Sequence, residues 1–206
     1  MAGALGVVYL MSIARRRGTS STVLLLAGVA LSAFLGALNR LVQVIGDYTD
    51  VFRSMRWMMG SLDVGSYSPV LASLVPFGLS CVGFAALPRV LDLISLGEAA
   101  AEARGVDVVR AERVALLSAS LSTGAAVSLG GPVIFVGIIV PHIVRLIVGA
   151  DHRLVLPASA LFGASFLIVC DLIARTIVAP VEMPVGIITA IIGGPFFLWL
   201  LFRRFR

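Results

Sequence analysis

The stretch GGPVIFVGIIVPHIVRLIVGADHR, residues 130–153, combines an apolar run with groups that lipid does not solvate. Pro141 and His142 interrupt the run, Arg145 follows one helical turn later, and Asp-His-Arg ends it at residues 151–153. A helix needs about 20 apolar residues to cross the roughly 30 Å hydrocarbon core of a bilayer. The stretch is therefore long enough to enter a membrane, and its polar end indicates a loop at the water interface.

Similar apolar runs fill most of the chain. Hydrophobic residues make up 59% of its 206 residues and charged residues 13%, whereas soluble domains carry about 25% charged residues. The runs that approach spanning length are 23–46, 69–88, 114–129, 132–149, 154–174 and 177–202. The sequence therefore predicts an all-α, polytopic membrane protein with about six full transmembrane helices. A further run, residues 1–13, is too short to cross by itself and is read as part of another helix.

The distribution of basic residues predicts how these helices are oriented. All 16 basic residues are arginines, and Arg15, Arg16 and Arg17 follow the first apolar run. If that cluster is cytoplasmic and the helices alternate, twelve arginines fall on cytoplasmic segments and four on external ones. This asymmetry satisfies the positive-inside rule. The formal net charge of +5 thus follows from topology, and we expect no nucleic-acid partner.

Motifs for catalysis and metal binding are missing from the sequence. A phosphate-binding P-loop requires a lysine, and the chain contains none, so a separate subunit would have to hydrolyse any ATP. Its two histidines lack a ligand set with the spacing of a metal site. Cys81 and Cys170 lie in apolar runs and are expected to pack as small apolar residues. We therefore expect no catalytic residue, no metal and no cofactor.

The longest charged interruption is RVLDLISLGEAAAEARGVDVVRAER, residues 89–113. Within it, Leu96, Gly97 and Glu98 open an alanine-rich stretch that ends at Gly105. This composition favours a short helix closed by a glycine. The predicted orientation places the segment in the cytoplasm, where a separate subunit could dock. An ordinary solvated loop helix is the alternative.

Three stretches resemble the FecCD-type permeases: LISLGEAAAEARGVDV, GGPVIFVGIIVPHIVRLIVGADHRLVLPASALFGA and APVEMPVGIITAIIGGPFFLWLL. Such permeases are ten-helix membrane subunits of ATP-binding-cassette (ABC) importers for iron-siderophores, haem and cobalamin. The resemblance implies one transmembrane permease domain over residues 1–206, with residues 89–113 as its cytoplasmic coupling segment. It also implies that helices five to ten and the tail of the fourth are present. The chain would then be a fragment, or its start was assigned at an internal methionine.

The resemblance implies partners and a location as well. The partners would be an ABC ATPase, a periplasmic or lipid-anchored substrate-binding protein, a second permease subunit and membrane lipid, in the bacterial cytoplasmic (inner) membrane. Arg175 would contact acidic residues of the binding protein, although it could equally serve only as the ion-pair partner of Asp171, four residues earlier. The residues implied in ATPase docking are Leu96, Gly97, Glu98, Ala101 and Gly105.

Polar residues in and beside the run 23–46 are the candidates for the translocation pathway, because polar side chains at this depth avoid lipid. The resemblance places this helix along the central pathway of a permease dimer. Asn39, Arg40 and Gln43 would lie near the outer cavity. Ser21 and Thr22 would form a narrow gate at the cytoplasmic end.

Several residues are expected to break or bend the helices. Pro132 would begin the eighth helix of the permease fold, and Pro141 would remove one of its backbone hydrogen bonds. His142 beside it is expected to be structural. The remaining predicted breaks are at Pro184, Gly193, Gly194 and Pro195.

Two other functional classes stay open at the level of sequence. An ion-gradient-driven secondary transporter would need an acid in the membrane that faces a coupling ion, and Asp171 is the candidate. A membrane protein that only supports a partner is the other. Co-purification with a nucleotide-binding subunit separates both classes from an ABC permease.

Overall fold

The computed structural model describes residues 21–178 and 180–204, and their regular structure is α-helical. The helices are α1 (Ser21–Ile45), α2 (Tyr48–Met58), α3 (Tyr67–Ala85), α4 (Pro88–Ser95), α5 (Glu98–Glu102), α6 (Val108–Gly130), α7 (Val136–Val148), α8 (His152–Thr176) and α9 (Val185–Arg204). The all-α prediction is confirmed. The predicted apolar run 1–13 and the arginines at 15–17 lie outside the described residues.

The chain divides after Met55 into two compact units. Helix α1 belongs to the first unit, and α3 to α9 belong to the second. The single permease domain over residues 1–206, with its coupling segment at 89–113, stays a prediction. Helix α2, in the loop between the runs 23–46 and 69–88, was not predicted, because its mixed polar and apolar residues gave no spanning run.

Five of the described helices, namely α1, α3, α6, α8 and α9, are long and apolar enough to cross a membrane. The chain is therefore a multi-pass membrane protein. The run 132–149, the predicted sixth span, contains a shorter apolar helix, α7, of 13 residues, which is about 20 Å long. Residues 131–135 before it are not helical. Non-helical backbone at membrane depth requires cover by protein or a water-filled cavity.

The longest shared face in the second unit joins α3 to α6. A Cβ atom on Gly83 would overlap the Ser118 hydroxyl, so glycine lets the two helices approach closely. The buried Ser80 hydroxyl donates a hydrogen bond of 2.8 Å to the Ser118 carbonyl. Small and hydroxyl-bearing residues commonly join membrane helices in this way.

Two small apolar cores join α7, α8 and α9. Cys170 and Ala174 of α8 pack with Val185 and Ile188 of α9. The second core contains Val140, Val144 and Val155, from α7 and α8. Cys170 is thus buried as predicted. Cys81 of α3 is exposed, which corrects the prediction that it packs within the chain.

A glycine-rich crossing fixes the segment that follows α2. The Ser61 amide donates to the Gly130 carbonyl at 2.8 Å. A Cβ atom on Gly131 would overlap the Trp57 carbonyl, and one on Gly186 would overlap the Met59 carbonyl. Backbone therefore packs directly on backbone where the segment crosses the approach to α7 and the first turn of α9.

Candidate docking surfaces and pathway residues

The predicted docking residues lie together on one short, solvent-facing turn. Helix α4 ends at Ser95, and Leu96 then exposes 65% of its surface. Gly97 follows with a φ of 115° and acts as the N-cap of α5, where Glu98 is exposed. The structure therefore confirms a short helix here, although it contains only five residues.

Gly97 is the N-cap of this helix, but its C-cap is Ala103, and the glycine predicted to close it, Gly105, lies two residues further on. Gly105 has a φ of 80°, a value that L-residues other than glycine adopt at a cost of about 1–2 kcal/mol. Nothing lies within 4 Å of a Cβ built on Gly97 or on Gly105, so backbone conformation rather than crowding favours glycine there. Ala101 is 0% exposed. Its predicted contact with an ATPase is therefore corrected: the methyl group packs α5 onto the protein and cannot reach a partner.

A hydrogen-bonded pair that the sequence did not indicate ties this segment to α8. The Asp92 Oδ1 atom of α4 accepts from the backbone amide of His152 at 3.1 Å and from its ring Nδ1 at 2.6 Å. Since a carboxylate oxygen only accepts, Nδ1 carries the proton. These bonds, the ring bond first, hold the pKa of Asp92 below its ordinary value. The partners are 60 residues apart, so no local pattern could have paired them.

Arg175 lies near the opposite end of α8 among carboxylates. Its Nε donates to Asp171 Oδ2 at 2.8 Å, which confirms the predicted intrahelical pair. Its Nη1 lies 3.8 Å from Glu182 Oε1, and Asp63 attracts it from further away. The Arg175 side chain is nevertheless 41% exposed. The exposed part of the guanidinium can therefore still bind an acidic group of another protein.

The predicted pathway residues lie on α1, in the first unit. Asn39, Arg40 and Gln43 are three and four positions apart, so they share one face near the end of the helix. Asn39 and Arg40 are exposed, and Gln43 is half-buried. Ser21 and Thr22 are the first residues of α1, and their side chains lie outside the described part. Their role as a gate stays a prediction.

The predicted helix breaks divide into two groups. Pro184 immediately precedes α9, as expected, and Pro141 lies inside α7. Pro132 is not at a helix start, because α7 begins four residues later at Val136. The predicted interruption at Gly193, Gly194 and Pro195 is wrong, since α9 continues through all three residues.

The real discontinuity lies at Phe135, the N-cap of α7. Its φ of 71° is the only positive value among the described residues other than glycine. The Phe135 side chain fills the space that a Cβ atom on Gly193 would occupy, and its ring lies 6.3 Å from that of Phe197. His142 meets Phe196 edge-on at 6.2 Å. These contacts pack α7 onto α9, and they agree with a structural role for His142.

Comparison with known proteins extends these observations to the whole chain. Residues 1–203 match the FecCD transport family. The chain is 41% identical over 181 residues to the hemin transport system permease protein HmuU of Yersinia pestis. This match covers 88% of this chain and 54% of that protein. It is 44% identical over 205 residues to the cobalamin import system permease protein BtuC of Halobacterium salinarum, with coverages of 98% and 55%.

A solved structure has the same fold. The chain superposes with a TM-score of 0.80 and 33% identity on a structure described as an inward-facing conformation of a metal-chelate type ABC transporter. The match covers 98% of this chain and 64% of that one. The chain spans about half the length of the curated relatives described above. The agreement of the family match, the relatives and the fold shows that this chain belongs to the FecCD transport family.

Proposed function

We propose that the chain contributes to the transmembrane permease of an ABC importer in the bacterial cytoplasmic (inner) membrane. The cargo is an iron-siderophore, haem or cobalamin that a substrate-binding protein delivers. Membership of the FecCD family supports this role, and relatives named for hemin and cobalamin support the cargo class. A separate ABC ATPase supplies the energy, because this chain contains no lysine and therefore no P-loop.

The observation that carries the proposal is the turn from Leu96 to Gly105. It presents a large apolar side chain and an acidic one outside the helices that could span a membrane. An exposed leucine at such a site gains free energy when a partner covers it, about 25 cal/mol per Å² buried. Leu96, Gly97, Glu98 and Gly105 form the ATPase-docking surface, and Ala101 supports it from beneath.

The other partners fit the exposed surfaces of the helices. Apolar side chains such as Leu71, Leu161 and Ile168 point outward from α3 and α8, and lipid or a second permease subunit covers them. Asn39 and Arg40 of α1, together with the other polar residues of that helix, line the translocation pathway.

A gradient-driven carrier is the weaker candidate. Asp171, the acid that it would use, already accepts a 2.8 Å hydrogen bond from Arg175. A carboxylate oxygen that already binds the guanidinium of Arg175 is less open to a coupling ion. The docking turn also has no purpose in a carrier without an ATPase.

Co-purification and coupled hydrolysis test the proposal. The tagged chain should capture an ATP-hydrolysing subunit from its native membranes. In separate experiments the binding protein is loaded with ferric siderophore, haem or cobalamin. With one of these cargoes it should stimulate ATP hydrolysis by the complex. Glu98→Arg should reduce this stimulation about fivefold, because a reversed charge at a docking surface opposes the partner's potential.

The matched control is Glu102→Arg, at the far end of the same helix. It changes the net charge equally, and Glu102 is exposed too. Failure of the wild-type chain to capture an ATPase contradicts the proposed function. Equal losses with both variants show that the net charge of α5, rather than a contact of Glu98 with the ATPase, governs coupling.

The exposed guanidinium of Arg175 yields a prediction about the binding protein. Arg175→Glu should weaken its binding about fivefold at low salt, since exposed charge pairs contribute at most about 1 kcal/mol. The loss should shrink at high salt, where the Debye length falls to about 3 Å in 1 M salt. The affinity of the binding protein is measured on permease that is reconstituted in nanodiscs and immobilised on a sensor surface.

Arg153→Glu is the control, because Arg153 is an exposed arginine at the other end of α8. It should leave the affinity unchanged. If Arg175→Glu lowers only the thermal stability of the permease, then Arg175 does no more than neutralise Asp171 and Glu182.

A further inference from the structure

The docking turn has few anchors of its own. Helix α4 has no buried residue, and α5 has a single one, Ala101. Helix α4 contacts α8 more than α6, and α5 contacts α6. The position of Leu96 and Glu98 relative to the spanning helices therefore depends on a small number of contacts, those of α4 with α8 and those of α4 and α5 with α6.

The strongest of these contacts is the hydrogen-bonded pair of Asp92 and His152. One oxygen atom accepts from both the ring and the backbone of His152, at 2.6 Å and 3.1 Å. Hydrogen bonds to an ionised acceptor are stronger than neutral ones. His152 is the first residue of α8, so the carboxylate also faces the positive end of the helix dipole. The pair holds one point of α4 close to the first residue of α8.

Helix α8 links this pair to the opposite end of the bundle. It runs without a break from His152 to Thr176, 25 residues, and is therefore about 37 Å long. Near its far end, Arg175 is held by Asp171 and faces outward. One helix thus contacts α4, the helix that precedes the docking turn, at its first residue, and it carries the proposed binding-protein contact in its last turn.

We infer that Asp92 and His152 are positioning residues that join the ATPase-docking turn to α8, so that movement of α8 on binding-protein docking reaches the ATPase through this pair. The inference rests on the proposed function and adds to it the contact between Asp92 and His152 and the transmission of movement along α8. The two hydrogen bonds fasten α4 to the end of α8, and α5 follows α4 after one residue in a turn and Gly97. A displacement of the end of α8 therefore displaces Leu96 and Glu98.

The test measures three quantities on the complex of the chain with its captured ATPase: ATPase capture, basal hydrolysis, and stimulation by loaded binding protein. Asp92→Ala should keep the first two and reduce stimulation about fivefold or more, the usual size of coupling between two sites. His152→Ala removes the same ring hydrogen bond from the other side and should behave alike. If the Asp92→Ala variant does not assemble with the ATPase, His152→Ala provides the test instead.

Conservative and matched variants show whether a loss of stimulation comes from the lost contact between α4 and α8 or from a general disturbance of the fold. Asp92→Asn keeps an oxygen that can accept both hydrogen bonds, so its stimulation should stay near that of the wild type. Ser95→Ala also removes a hydrogen bond from α4, the 2.6 Å bond from the Ser95 hydroxyl to the Asp92 carbonyl, but no link to α8. It should leave stimulation unchanged. The variant with both Asp92→Ala and His152→Ala should be no worse than either single variant, since residues that act through one contact are not additive.

Distinct outcomes contradict the inference and the proposed function. Normal stimulation in Asp92→Ala overturns the inference alone, and so does a loss in Asp92→Asn as large as that in Asp92→Ala. A fall in capture and basal hydrolysis that matches the fall in stimulation also overturns it, because the pair then only shapes the docking turn. If the wild-type chain captures no ATPase, the proposed function fails and the inference fails with it.

Discussion

Gly193→Ala is expected to lower the thermal stability of the protein by about 1–3 kcal/mol, the usual cost of forcing an extra carbon into a filled site. The new methyl group would lie 2.5 Å from Phe135 Cγ and closer still to Phe135 Cβ. A side-chain rotation cannot relieve the contact with a Cβ atom, which moves only with its backbone. That backbone is already in the left-handed region, immediately before α7.

The neighbouring Gly194 is a matched control on the same helix. No atom lies within 4 Å of a Cβ built there. Gly194→Ala should therefore leave the melting temperature unchanged or raise it, because alanine favours helix over glycine by about 1 kcal/mol. Both variants are compared by thermal unfolding in one detergent.

A second substitution identifies the clash as the cause. Phe135→Gly removes the obstructing side chain and suits a φ of 71°. Added to Gly193→Ala, it should destabilise less than the sum of the two single effects. Additive effects, or equal losses in Gly193→Ala and Gly194→Ala, would contradict the packing of Phe135 on Gly193.

Leu96→Asp is expected to reduce capture of the ATPase about tenfold or more, because a buried charge replaces an apolar contact at the interface. Leu96 is 65% exposed in the chain alone, so its loss removes little internal packing. Its φ of −82° and ψ of −5° also suit aspartate. The fold should therefore survive, and the melting temperature of the isolated chain checks this.

Val109→Asp provides the comparison for Leu96. Val109 is exposed in the first turn of α6, where a negative charge is favoured by the helix dipole. It lies outside the turn from Leu96 to Gly105 and should capture ATPase normally. Equal losses in the two variants would show that added negative charge, and not the contact of Leu96, weakens binding.

Much of the fold follows from patterns that are local in the sequence. Five spanning helices were predictable because apolar run length alone decides whether a helix can cross lipid. The short helix after Gly97 was predictable because alanine and glutamate favour helix, although it ends at Glu102 and not at Gly105. The pair of Asp171 and Arg175 was predictable because residues four apart on a helix are neighbours.

Local patterns did not predict the helix breaks correctly where two segments that are distant in the sequence pack against each other. Gly193 and Pro195 favour a helix break by their intrinsic preferences, yet α9 is continuous. Proline removes only one backbone hydrogen bond, and neighbouring groups can compensate for it within a membrane protein. The break occurs at Phe135 instead, where the packing of α7 on α9 holds a backbone conformation that phenylalanine rarely adopts.

The sequence by itself determined the class of protein, the spanning helices and the place of the short helix after Gly97, because each depends on composition within one segment. Only the tertiary structure decided that α7 begins four residues after Pro132, that Ala101 is buried, and that Asp92 meets His152. Each of these depends on which surfaces of separate helices come into contact. Such contacts leave no periodicity in the chain, so packing alone specifies them.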